Sequence, residues 1–295
     1  MIGISTVASL LAQVVRAPAQ DIVMPTDEQV QLMRDAAPDA PPVAPKASRK
    51  VLVWGHFYTH LPNPFAARAL EVLGEKTGAF GAVVSQDPVD LLPGNLGDFD
   101  CLVMNNIHEP EPFLPRNFAE LPKGEQDAAR AQDAAVRQSI LDFVASGKGI
   151  VGVHAATAAL QGWAEYGEMM GGYYQSHIYQ EVSIKLDEPD HPLNACFEGQ
   201  GFRVNDEIYF LTEPHPREKY RVLLSLDLAG MGDPGARPDK DYPITWMRTW
   251  GDGRVFYCSL GHAPETYWNP LFLAHVLAGI QFACGDLEAE AAPDR

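Results

Sequence analysis

Positive charge is scarce in this sequence. Its 295 residues carry 22 Lys and Arg against 39 Asp and Glu, a formal net charge of -17. No basic run and no aromatic–basic interleaving offsets that balance. A surface of this sign repels phosphate backbones, so a nucleic-acid partner is not expected, and an anionic membrane is an equally poor one. Cysteine is also sparse. The four residues Cys101, Cys196, Cys258 and Cys284 form no C-x-x-C pair, and Cys101 and Cys258 lie inside apolar runs, which reads as core packing rather than a disulfide framework. No stretch of about 18 apolar residues is present, so no membrane-spanning helix is expected.

Several motifs are missing as well. There is no G-x-G-x-x-G, no P-loop and no H-E-x-x-H, and with the first two goes the expectation of a nucleotide cofactor. A nucleophile elbow would set Ser or Cys in a G-x-[SC]-x-G turn after a central strand. Here the turn after GIVGV is His154-Ala155-Ala156-Thr157, whose one hydroxyl, Thr157, suits a helix N-cap. Acyl-enzyme chemistry is therefore disfavoured.

What remains is an ordinary globular composition, 46% hydrophobic and 21% charged, on a chain long enough for a sizeable core. Residues 1–49 read as an N-terminal extension. Their first twenty residues include Ala17-Pro18-Ala19, which resembles an export cleavage site but lacks a basic segment before it. A cytoplasmic protein is the expectation, with export the alternative. A short helix follows, capped by Thr26 with Gln29 in the reciprocal position. Residues 37–48, APDAPPVAPKAS, have the composition of an extended linker. The compact domain is expected over 50–286, with 287–295 as a tail.

Within that domain strands and helices alternate. KVLVWGH, GAVVSQ, DCLVMNN and GIVGVH read as strands, with helices at 64–78 and 124–147 between them. Apolar strands in a βαβα order predict a parallel sheet covered on both faces. The second half changes character. YQEVSIKLDEPDHP and GFRVNDEIYFL alternate apolar and polar residues like half-buried antiparallel strands, and PITWMRTW and GRVFYCSLGH bracket a Gly251-Asp252-Gly253 hairpin. Residues 228–241 read as a Gly- and Pro-rich loop, and PLFLAHVLAGIQFACG as a closing helix.

Open parallel sheets bind ligands outside the carboxyl ends of their strands. Strand one ends in His56 with His60 beyond; strand three in Asn105-Asn106 with His108 and Glu109 beyond; strand four in His154; the late strand in Gly261-His262. Four strands thus deliver imidazole to one edge, and VNDEIYFL adds Asp206 and Glu207. Glu207 shares a strand face with Asn205 and Tyr209 and is the better pocket carboxylate; Asp206, on the opposite face, is suited to orienting a neighbour. Two chemistries fit: a zinc, manganese or iron site, or metal-free acid–base work. In GWAEYGEMMGGYYQSH, the rings of Trp163, Tyr166, Tyr173 and Tyr174 read either as a sugar platform or as a helix packed on the sheet and ended by Gly171-Gly172, and His177 as a ligand-binding side chain. His191 and His215 sit in proline turns and His275 in the closing helix, all three as structural residues.

The ordered set VLVWGHFYTH, GKGIVGVHAATAAL, the W-x-E-Y-x-x-M-x-G-G run leading to His177, the HP at 191–192, VNDEIYFL, PITWMRTWGDGRVFYCSLGH and the closing helix resembles the trehalose-utilisation (ThuA-like) family over about residues 50–285. The resemblance implies a flavodoxin-like α/β fold, similar to class I glutamine amidotransferase domains, with an antiparallel extension. It implies a role in carbohydrate metabolism beside sugar dehydrogenases that make 3-keto sugars, and a divalent metal in some relatives. The family's histidines fall on His60, His154, His177 and His262, and its acidic pair on Asp206 and Glu207; His56 lies beside the pattern. The amidotransferase cysteine is absent, so glutamine hydrolysis is not expected. The Pro-rich loop 109–124 is suited to covering the pocket or to a subunit contact in a homo-oligomer.

These readings combine into one expectation. The protein acts on a sugar or 3-keto-glycoside by proton abstraction or glycosidic cleavage. His154 or Glu207 serves as base with Asp206 beside it, His60, His154 and His262 hold a metal, and His56, Asn106, Trp163, Tyr166, His177 and Tyr209 contact substrate. The alternatives are a non-catalytic sugar-binding or regulatory protein on the same scaffold, and a metal-dependent hydrolase of unrelated substrates.

Overall fold

The computed structural model describes residues 21–212 and 217–293. The expectations for residues 1–20 and for His215 lie outside them. The elements in chain order are α1 (Asp27–Ala36), β1 (Lys50–Trp54), α2 (Asn63–Thr77), β2 (Gly81–Ser85), the single turn α3 (Pro93–Leu96), β3 (Cys101–Asn105), α4 (Lys123–Ala145), β4 (Gly149–Val153), α5 (Ala164–Met170), β5 (Tyr174–Leu186), β6 (Phe202–Leu211), β7 (Arg221–Leu226), the short α6 (Leu228–Met231), β8 (Pro243–Trp250), β9 (Gly253–Cys258) and α7 (Pro270–Ala283).

One nine-stranded sheet runs β2-β1-β3-β4-β9-β8-β7-β5-β6. Its first five strands pair in parallel. The other four continue it antiparallel. Successive side chains of a strand point to opposite faces, and both faces are covered. Val51, Val53, Cys101, Val103, Val151 and Val153 pack with Leu70 and Leu73 of α2 and Val276 and Ile280 of α7. Leu52, Trp54, Leu102, Met104 and Ile150 pack with Val136, Ile140 and Val144 of α4. This two-sided burial is why those strands read as continuous apolar runs.

The structure revises four expectations. Residues 37–48 are extended but not a free linker. Val43 exchanges hydrogen bonds with the Gln281 amide, Lys46 N donates to Asp286, and Ala37 is buried in the core. The tail likewise packs back, with Leu287 and Ala291 buried and the Ala292 carbonyl accepting from Arg221. Strand β5 begins at Tyr174, five residues before the expected start at Tyr179, and RVLLSL, not read as a strand, forms β7. Thr157 caps no helix; its hydroxyl shares a hydrogen bond with Tyr257 OH at 2.9 Å. Among the described residues no helix is long and apolar enough to cross a membrane.

His275 is structural, as its place in α7 suggests. Its Nδ1 faces the Leu193 carbonyl at 2.9 Å and its Nε2 the Thr245 hydroxyl at 3.2 Å. Burial, partly opposed by the Leu193 hydrogen bond, pulls its pKa down to about 4. A depressed histidine pKa means the unfolded chain binds the extra proton first. Stability is therefore intact above the unfolded value near 6.5 and is lost as pH falls toward 4. The full loss is on the order of 3 kcal/mol. Urea unfolding of His275→Gln from pH 7.5 to 4 is expected to show a shallower acid-side decline than the wild type.

Candidate metal centre

Each parallel strand delivers its following loop to the carboxyl edge of the sheet. After β1 the chain must pass close to β3: a Cβ on Gly55 would lie 2.3 Å from the Asn105 carbonyl oxygen, so glycine is required there. The loop then carries His56 and His60 before α2 begins. After β4, His154 takes φ 44°, and after β9, Gly261 takes φ 126° with its absent Cβ facing the Tyr267 hydroxyl at 2.6 Å. A side chain at Gly261 would run into Tyr267 and Val153. The β5–β6 ribbon is tied to the sheet through Ile184–Leu186 of β5 and bends back over this edge, where Tyr209 N donates to the Ser259 hydroxyl.

His60, His154 and His262 meet here. The rings of His60 and His154 are parallel, 9° apart at 5.5 Å, and the His262 ring stands edge-on to both. Glu207 closes the group. Its Oε2 lies 3.2 Å from His154 Nε2 and 3.2 Å from His262 Nδ1, and its Oε1 lies 3.2 Å from His177 Nε2. Burial opposes the Glu207 charge, but the facing imidazoles of His154 and His262 outweigh it and hold the carboxyl well below the usual range. Burial and the neighbouring imidazoles of His154 and His262 push His60 well below its ordinary pKa, so its ring is neutral. His262 is lowered by burial but raised more by Glu207, for a net upward shift.

Three nitrogens in this group are buried without a hydrogen bond: His60 Nδ1, His154 Nε2 and His262 Nδ1. The contacts to Glu207 are near enough in distance but poorly aligned. Unpartnered buried nitrogens are costly, and here they converge. One ligand atom from each of His60, His154, Glu207 and His262 lies within 4.8 Å of all the others. The tautomer of His154 agrees, because its Nδ1 faces the Ser259 carbonyl at 2.7 Å, an acceptor only, which leaves the Nε2 lone pair for the centre. Three imidazoles and one carboxylate suit zinc, iron or manganese, and a divalent cation would be held by these four residues.

The remaining candidates fall in different places. Tyr209 lines the centre, its ring 4.3 Å from that of His154. His177 reaches Glu207 from the rim, with 44% of its side chain exposed. Asp206 is not in the pocket. It is fully buried on the other face of β6 and accepts from the backbone of Gly261, His262 and Ala263 and from the Thr266 hydroxyl. It is a positioning residue for the His262 loop rather than a catalytic one. Asn106 does not face substrate either. Its amide donates to Asn105 Oδ1 and Tyr267 OH, and it is fully buried. His56 is spent on Glu109 Oε1 at 2.5 Å and the Gln86 carbonyl at 3.1 Å, pinning the β1 loop to its neighbours. The sugar platform fails at two rings. Trp163 and Tyr166 are buried among the α4–α5 side chains, and Tyr166 OH donates to the Ala156 carbonyl, so the packing alternative holds for both. Two residues at the centre have no role in the sequence-based expectation: His108, counted there only among the strand-end imidazoles, and Tyr179. His108 stacks on His60 at 5.3 Å, and its place just beyond β3 was the available signal. Tyr179 stands edge-on to His262 at 5.7 Å, and its spacing of two from His177 on one strand would have marked it.

A parallel α/β sheet with an antiparallel extension, and a histidine–carboxylate cluster at its carboxyl edge, define the class: a flavodoxin-like domain of the amidotransferase-like type without the cysteine. Solved structures agree on the fold. A ThuA-like protein from Bacteroides uniformis is 20% identical with a TM-score of 0.59, covering 82% of this chain and 93% of that one. A ThuA-like protein from Parabacteroides merdae is 16% identical with a TM-score of 0.57, covering 84% and 98%. A protein from Salmonella typhimurium described as cytoplasmic is 15% identical with a TM-score of 0.51, covering 77% and 98%. No curated protein matches the sequence. The chain belongs to the ThuA family, described as trehalose utilisation, whose model matches residues 50–283.

Proposed function

We propose that this protein is a metal-dependent enzyme of carbohydrate utilisation that cleaves 3-keto-glycosides by elimination. The observation that carries the reading is the convergence of three unpartnered, buried imidazole nitrogens and one carboxylate at the ligand edge of the sheet. A ketone at C3 of a glycoside acidifies the C2 proton. When a base takes that proton, the C2–H electron pair becomes the C1–C2 double bond and the C1 substituent departs with its bonding pair, taking up a proton as an alcohol. A divalent ion at the site supplies Lewis-acid polarisation of the carbonyl.

The protein's own groups divide the remaining work. His154 is fully buried and committed to Ser259, so it holds its place in the ligand set and is not the base. His108 and His177 are the exposed imidazoles of the centre, and His177 is the one beside the carboxylate, flanked by Tyr174 OH at 2.8 Å and Glu207 Oε1 at 3.2 Å. It is assigned to move the C2 proton, with Glu207 stabilising the imidazolium that results. Incubation with 3-keto-trehalose is expected to release glucose and an unsaturated keto sugar. His177→Gln is expected to stay folded and lose turnover by about 100-fold or more, the usual size of one acid–base group. Undiminished turnover in that variant, or no consumption by the wild type, would sink the proposal.

A further inference from the structure

Among the described residues Tyr179 is the most exposed aromatic at the centre. In the β5–β6 register Tyr179 lies directly opposite Glu207, and His177 opposite Tyr209. Opposed residues of an antiparallel pair share a face, so His177 and Tyr179 rise on the side of the sheet from which Glu207 reaches the histidines. Tyr179 is 52% exposed, and among the described residues its hydroxyl has no hydrogen-bond partner. Tyr174 stands further along the rim, its ring 4.5 Å from Tyr209 and its hydroxyl on His177 Nδ1. Other rings nearby are already used. Tyr209 and Tyr267 are buried, and Tyr58 is covered by His56 at 4.9 Å on a near-parallel face and by the Arg116 guanidinium at 4.4 Å.

We infer that Tyr179, with Tyr174 beside it, forms the wall of a subsite that receives a pyranose ring next to the centre. An intact pyranose has an apolar C–H face that lies against an aromatic ring and an equatorial rim of hydroxyls that needs acceptors and donors. The rim here offers the Tyr179 hydroxyl, His177 and the exposed carboxylate of Glu265. The subsite therefore selects cyclic glycosides over open-chain polyols. This assignment takes the class of ligand from the proposed function but not the reaction.

Titration calorimetry of the purified, metal-loaded full-length protein tests it, with trehalose and sorbitol as probes. Trehalose is expected to bind the wild type. Tyr179→Ala is expected to weaken that binding about tenfold, the size of one good aromatic contact, and Tyr179→Phe by no more than about twofold. Sorbitol is expected to bind neither wild type nor variant measurably. Absent trehalose binding by the wild type, equal affinity in Tyr179→Ala, or sorbitol binding as tight as trehalose would overturn the inference. So would a change of oligomeric mass in Tyr179→Ala on sedimentation, which would make the ring a subunit contact. Turnover of 3-keto-trehalose is scored separately. Tyrosine-dependent binding without turnover removes the elimination chemistry and leaves the subsite. Turnover whose KM ignores Tyr179 does the reverse.

Discussion

Asp206→Ala is expected to be the most destabilising single substitution near the centre, lowering unfolding free energy by about 4 kcal/mol or more. Its carboxylate collects five donors: the backbone amides of Glu207, Gly261, His262 and Ala263, and the Thr266 hydroxyl, at 2.7 to 3.0 Å. Removal leaves those donors buried and unpaired, and each orphaned group costs about 1–3 kcal/mol before any water enters to relieve it. The loop also loses the anchor that sets Gly261 at φ 126° and aims His262 at the centre. Asp206→Asn is expected to be milder, because an amide keeps one acceptor oxygen while its nitrogen must face donors. Urea denaturation measures the loss in both variants. A change below about 1 kcal/mol in Asp206→Ala would contradict the anchoring role, since not even one orphaned donor would then be showing its cost.

The second large effect concerns metal retention. His154→Ala and Glu207→Gln each remove one of the four converging donors. Changing a residue that merely orients a metal ligand typically costs about 10–100-fold in affinity, so losing a ligand itself is expected to cost about 100-fold or more. Elemental analysis of the purified variants is expected to show substoichiometric metal where the wild type approaches one ion per chain, with turnover of 3-keto-trehalose falling in parallel. Both variants are expected to remain folded, because either change leaves the two hydrophobic core clusters intact. Glu207→Gln separates charge from shape. An amide of the same size retains the fit but not the negative charge that draws a cation between three imidazoles. Full metal occupancy in both variants would remove the metal from the proposed mechanism.

Much of the fold was legible because its signals are local. The apolar runs of β1, β3 and β4 announce strands covered on both faces, and the strand-end rule then points to the carboxyl edge where His60, His154 and His262 meet. The face alternation along VNDEIYFL sets Glu207 toward the imidazoles and Asp206 toward the Gly261–Ala263 backbone, because a strand's period of two is a property of the backbone itself. A hairpin joins β8 and β9 as expected, but with Trp250 opposite Gly253 its two loop residues are Gly251-Asp252, one position before the Asp252-Gly253 dipeptide that signalled it, and Gly251 supplies the positive φ of 57°.

Other assignments required the assembled molecule. Trp163 and Tyr166 carry rings equally fit for stacking on a sugar or on a core, and only the approach of α4 and β9 makes them core. Asn106 and His56 sit at strand ends just as the site residues do, yet the Asn106 amide nitrogen is used by Asn105 and Tyr267 and both ring nitrogens of His56 by Glu109 and Gln86. Residues 37–48 have linker composition, and their docking depends on Gln281 and Asp286, more than 230 positions away in the chain. The amino-acid sequence by itself determined the strand order of character, the two-sided core and the set of imidazoles at one edge, since each follows from periodicity and chain direction. The tertiary structure alone decided which of those polar side chains remain unpartnered. Partner choice is made across loops from different strands, and it leaves His60, His154, His262 and Glu207 facing one another while neighbours of the same chemistry are spent on holding them there.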